Sequence, residues 1–178
     1  MTPGYLEAGE LRGALTVFLS ELVETASKAG LRATPGGVVS GMGFDYAVPY
    51  LIVQGLYARG MLRRRNGFFE LTESGREFVR ISVEIAAMTI GASEFPEADS
   101  GRLLGAVVYA LFDWSNTRRT ASEHLEYAKR VRDELVKLRE EPELFKLAAV
   151  LLPRMYYENG YTPLKLIESI RRVLGNKA

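Results

Sequence analysis

The sequence predicts a mainly α-helical chain with one two-stranded β-hairpin near residue 66, followed by a helical C-terminal region. Three observations carry this reading. Apolar residues return at steps of three and four over most of the chain, the spacing that lines one face of a helix. Asn66-Gly67 stands between the short runs 61–65 and 68–72, and both central residues of a tight two-residue hairpin turn need the positive φ that Asn and Gly adopt most readily. The length of 178 residues suits one typical domain, or two small ones sharing a core.

The elements follow in order. Between Glu7 and Gly30 the series Leu11, Leu15, Phe18, Leu22 and Ala26 forms one apolar stripe, and Gly30 ends it as a helix C-cap would. Residues 30–43 hold five glycines and Pro35, so a turn-rich loop with at most a short helix around Val38 to Met42 is expected. Pro49 suits the first turn of a third helix that runs to Arg59, before Gly60. The two-residue turn then fixes the hairpin register: Arg65 faces Phe68, Arg64 faces Phe69, Arg63 faces Glu70 and Leu62 faces Leu71. Leu62, Phe69 and Leu71 should point inward. Ser74-Gly75-Arg76-Glu77 has the spacing of a capping box, with Thr72 as the other candidate cap, and the helix it opens carries Phe78, Ile81, Ile85 and Met88 on one stripe.

Small and acidic residues with Pro96 mark 91–100 as a linker, so residues 1–90 and 91–178 are expected as two units. A core helix is expected from Arg102 to Trp114. Thr120-Ala121-Ser122-Glu123 is a second capping box, and Leu125, Ala128, Val131, Leu135 and Leu138 give the helix after it an apolar side. Pro142 and Pro163 sit where helices start, Gly160 and Gly175 where they stop, and Pro153 should kink the helix it interrupts.

Composition narrows the chemistry. Apolar residues make up 47% and charged residues 25%, which excludes a disordered chain. Lys plus Arg number 23 against 22 Asp plus Glu, so polyanion binding needs a local patch. The absence of Cys removes disulfides, thiolate zinc sites and Cys nucleophiles together. One Gln and four Asn are a thermophile-like economy in labile amides. No run of about 18 apolar residues and no leader pattern appears, so a cytoplasmic protein without a membrane span is expected.

Leu56-Tyr57-Ala58-Arg59-Gly60 leads into the basic strand Met61-Leu62-Arg63-Arg64-Arg65, and Leu71-Thr72-Glu73-Ser74-Gly75-Arg76-Glu77 opens the next helix. Together with the order helix, short helix, helix, hairpin, helix, these residues resemble the winged helix-turn-helix domain of prokaryotic and archaeal transcription regulators. The resemblance covers about Val38 to Val79. It implies double-stranded DNA as partner, with the third helix in the major groove and the hairpin on phosphates. Carried onto this sequence, Tyr50 and Gln54 meet the bases, while Arg59, Arg63, Arg64 and Arg65, with Asn66 at the turn, hold the backbone. A two-fold homodimer is implied as well, with the apolar side of the Thr120 to Arg139 helix as its candidate interface.

Two departures keep a second reading open. Arg63 opposite Glu70 also fits a solvated strand whose cations are paired. The outward side of the third helix carries Tyr50, Leu51, Gln54, Gly55 and Ala58, which read base edges poorly. An exposed Tyr50 and Leu51 beside Gly55 suits a protein partner, making the winged helix an adaptor.

Other constellations are weaker. His124 beside Glu123 and Glu126 lacks further metal ligands and reads as part of a charged helix face. Gly36, Gly37, Gly41 and Gly43 lack the Lys of a phosphate loop and read as a turn. Tyr156, Tyr157 and Tyr161 with Arg154 read as core or interface. No nucleophile, base and orienting group occur together, so no enzyme, no cofactor and no metal are expected.

Overall fold

The computed structural model describes residues 5–43, 45–93, 95–112, 120–151 and 163–175. Among these residues the protein is mainly helical with one antiparallel hairpin. The helices are α1 (Ala8–Lys28), α2 (Pro35–Gly41), α3 (Val48–Ala58), α4 (Glu73–Thr89), α5 (Ser100–Leu111), α6 (Ala121–Leu138), α7 (Pro142–Leu151) and α8 (Pro163–Leu174). The strands β1 (Leu62–Arg65) and β2 (Phe68–Leu71) lie between α3 and α4. A single 3-10 turn, Glu97–Asp99, leads into α5.

The hairpin adopts the register set by its turn, with Leu62 opposite Leu71 and Arg65 opposite Phe68. Asn66 and Gly67 both have positive φ, 53° and 80°, as a type I′ turn requires. Leu62 and Leu71 are buried, and Phe69 is half-buried against α1. Thr72, not Ser74, caps α4: its hydroxyl accepts from the Gly75 backbone N–H and donates to the Gly60 carbonyl. Glu77 therefore does not close a capping box, and its carboxylate instead takes the Lys129 ammonium of α6 at 2.7 Å.

The glycines between 36 and 43 do more than turn the chain. Gly37 and Gly41 lie on α2, and Gly101 and Gly105 lie on α5 at the same four-residue spacing. A Cβ at Gly41 would overlap the Arg102 carbonyl, and one at Gly105 would overlap the Val38 carbonyl. The two backbones touch directly, which only residues without Cβ permit. Ser100 adds a hydroxyl bond to the Arg32 carbonyl beside this crossing.

Through that seam the residues beyond 91 build into the same core as those before it. α5 packs on α2 and α4, α6 on α4, and α8 on α6 and α7. One cluster of buried side chains runs from Phe18, Ile52 and Phe78 through Leu103 and Val107 to Val131 and Ile167. The boundary expected at 91 thus marks a surface connection and not a gap between cores. The apolar stripe of α6 is consumed in the same way: Leu125, Ala128, Val131, Leu135 and Leu138 are all buried within the chain. That side of α6 is not available as the expected homodimer interface.

α5 starts two residues before Arg102 and ends at Leu111. Trp114, Pro153, Arg154, Tyr156, Tyr157, Gly160 and Tyr161, singled out in the sequence, lie outside the described residues. Pro142 and Pro163 open helices and Gly175 follows one, as read.

Candidate nucleic-acid interface

The hairpin and α3 are joined by three residues, and their side chains meet different surroundings. On the inward face of the hairpin, Phe69 meets Tyr57 of α3 edge-on, with ring centroids 6.3 Å apart, and lies over Gly13 of α1. Arg64 shares this face. Its guanidinium sits 5.3 Å from the Tyr57 ring centroid, within cation–π range, and its Nη2 is 2.6 Å from Oε2 of Glu10 on α1. The Arg64 side chain thus runs from the strand across an aromatic ring to a carboxylate 54 residues away in sequence.

On the outward face, Arg63 Nε donates to Glu70 Oε1 at 2.6 Å, and Arg65 Nη1 reaches the same oxygen at 3.4 Å. The bond from Arg63 holds the Glu70 carboxyl below its usual range, opposed by some desolvation and reinforced by Arg65. Phe68 beside them is 77% exposed, and Asn66 is exposed at the turn. Each hairpin guanidinium therefore has an acidic neighbour. Two carboxylates cannot neutralise three guanidiniums, so the hairpin carries one excess positive charge where the sequence alone offered four cations, Arg59 included.

Arg59 does not belong to that edge. It caps the C-terminus of α3, half-buried, with its guanidinium 4.4 Å from the Phe112 ring centroid and Nη1 3.4 Å from His124 Nδ1. Nε2 of His124 lies 2.9 Å from the Leu111 carbonyl, so Nε2–H donates and Nδ1 accepts, the arrangement of a neutral ring. His124 is fully buried beside Phe78, with centroids 4.8 Å apart. It is part of the core and not of a charged helix face. Its position four residues before Ala128 and seven before Val131 was the available signal, since those steps place it on the apolar stripe.

The outward side of α3 is largely closed. Gln54 Oε1 accepts the Leu6 backbone N–H at 2.8 Å, which removes one half of a bidentate contact to adenine. Gly55 lies under the Phe112 ring so tightly that a Cβ would overlap it, and Tyr50 is half-buried against the core. Leu51, 54% exposed, and Ala58 remain open to solvent. Tyr46, just before α3, is 86% exposed. A helix with Phe112 over one flank and Leu6 over another cannot lie along the floor of a major groove.

The structure thus brings Arg63, Arg64, Arg65 and Asn66 together on one hairpin and separates them from Tyr50, Gln54 and Arg59. Glu10, the partner of Arg64, had no local sequence signal. Among the described residues no three His, Cys, Asp or Glu side chains converge to hold a metal ion, and no helix is long and apolar enough to cross a membrane. Family models, curated proteins and solved structures give no match to this chain.

Proposed function

We propose that this chain is a winged helix-turn-helix protein that holds duplex DNA by its backbone, through the hairpin, in a cytoplasmic transcription-regulator role with little base discrimination. The observation that supports this most is the excess of guanidinium over carboxylate on β1: Arg63, Arg64 and Arg65 against Glu70 and Glu10. Exposed ion pairs of this kind contribute about 0–1 kcal/mol each, so phosphates can displace the carboxylates. The closure of α3 argues for contacts that carry position and not sequence.

The test is a fluorescence-anisotropy titration of labelled duplexes of unrelated sequence over a range of salt. Log affinity should fall with log salt with a slope of about −2 to −3, as for two or three neutralised phosphates. It should differ little between sequences, and Arg63→Ala with Arg65→Ala should flatten the slope by about 2. Absence of binding at low salt, or binding untouched by the two substitutions, overturns the proposal.

Exposed Leu51 and Tyr46 at the start of α3 favour a second reading, an adaptor that receives another protein there. Gly55 cannot take part in such a surface because Phe112 lies on it. Under this reading Leu51→Glu abolishes the physiological activity and the arginine pair is dispensable; under the first, the dependence is reversed.

A further inference from the structure

We propose that Glu10 and Glu70 act as built-in competitors for the hairpin guanidiniums, occupying the positions that duplex phosphates would take and so setting a threshold for DNA engagement. This deepens the function proposed above and rests on it. Both carboxylates make short contacts: Glu70 Oε1 is 2.6 Å from Arg63 Nε, and Glu10 Oε2 is 2.6 Å from Arg64 Nη2. Charge-assisted contacts of that length are the geometry guanidinium uses for carboxylate and phosphate alike.

The two competitors come from different parts of the fold. Glu70 lies directly across the strand pair from Arg63, where an opposite charge is the natural cross-strand partner. Glu10 comes from α1, and its other oxygen accepts from the Glu7 backbone N–H at 3.3 Å within the cap of that helix. The carboxylate is thereby oriented toward the hairpin before Arg64 meets it. The Tyr57 ring under Arg64 holds the guanidinium at the same place. Arg63 and Arg65 share Glu70 on the outward face and Arg64 holds Glu10 on the inward one, so phosphates lying along the hairpin edge can replace both carboxylates, whereas a single phosphate replaces at most one. The arrangement favours a dense polyanion over isolated anions, because releasing both competitors requires adjacent charges.

The experiment compares the 178-residue chain with Glu70→Gln, Glu10→Gln/Glu70→Gln and the control Glu140→Gln, using a fluorescent mixed-sequence duplex at low and moderate salt. Helical circular dichroism checks that each variant is folded. Affinity should rise about threefold for Glu70→Gln and about tenfold for the double variant, as expected from removing exposed pairs, with a steeper salt dependence. Glu140→Gln, which changes net charge equally from an exposed position after α6, should leave affinity unchanged. Adding Arg63→Ala and Arg65→Ala to the double variant should cancel the gain. An equal gain in Glu140→Gln, or no gain in the double variant while wild type binds, overturns the competitor role and leaves backbone binding standing. Failure of every variant to bind a duplex overturns both.

Discussion

α3 and the hairpin are neighbours in sequence, yet one is closed by the rest of the chain and the other is presented by it. α3 has Phe112 over Gly55, Leu6 on Gln54 and Arg59 turned inward toward His124. The hairpin commits its inward residues Leu62, Arg64, Phe69 and Leu71 to the protein, while Arg63, Arg65, Asn66 and Phe68 face solvent. The contrast teaches that what a helix-hairpin unit can recognise is set by the helices appended to it. In this protein Phe112 just after α5, Leu6 just before α1 and His124 of α6 cover parts of α3 and its C-terminal end, and leave the hairpin edge open.

The largest effect tests the closure. Phe112→Ala removes a buried ring packed on Gly55, Arg59 and His124, and should cost about 3–4 kcal/mol by urea denaturation. Amide exchange should accelerate in α3 and stay unchanged at the hairpin turn; equal acceleration in both would show that the two regions are not distinct. Next is Gly41→Ala, whose methyl group meets the Arg102 carbonyl. Overpacking outweighs the gain in helix propensity, for a net loss of about 2 kcal/mol and a fall in Tm of roughly 4–8 °C.

Arg63→Ala with Arg65→Ala should cost less than about 1 kcal/mol of stability, since both pairs are exposed, although it is the substitution expected to matter most for DNA. A larger loss would mean the hairpin edge is structural. The smallest effect is on acid stability. The Lys129 ammonium, against some desolvation, holds the Glu77 carboxyl below its usual value of 4.5, so the bond between α4 and α6 contributes fully above that pH. It is lost as pH falls through the lowered value. Glu77→Gln should be slightly less stable than wild type at pH 7, and the difference should shrink steadily as the pH is lowered below 4.5.

The hairpin was legible because its information is local. A two-residue Asn-Gly turn leaves one register, and the period of two then assigns every side chain from Leu62 to Leu71 to a face. The α6 stripe was legible for the same reason. The seam between α2 and α5 was not, since Gly37 and Gly41 meet Gly101 and Gly105 across some sixty residues, and glycines near a proline look like a turn when read alone. Arg59 and His124 were misplaced because their neighbours are charged. Three consecutive arginines and two flanking glutamates drew both toward solvent, whereas a buried aromatic ring and a backbone carbonyl supplied what each needed inside. Of the candidate site, the cations were legible and their competitors only in part: Glu70 stands opposite Arg63 by register, but nothing near Glu10 in sequence points to Arg64.

The contact of bare backbones between α2 and α5 also bears on how such a chain can be inherited. A gene shortened to encode only residues 1–90 would strip the cover from Val38, Ile81 and Ile85, all buried in the whole protein, and leave Gly41 and Gly55 facing water. Recombination could exchange the hairpin for another of equal length that keeps its inward residues Leu62, Phe69 and Leu71. It could not exchange either partner of the glycine crossing alone without bringing a side chain against the other's backbone.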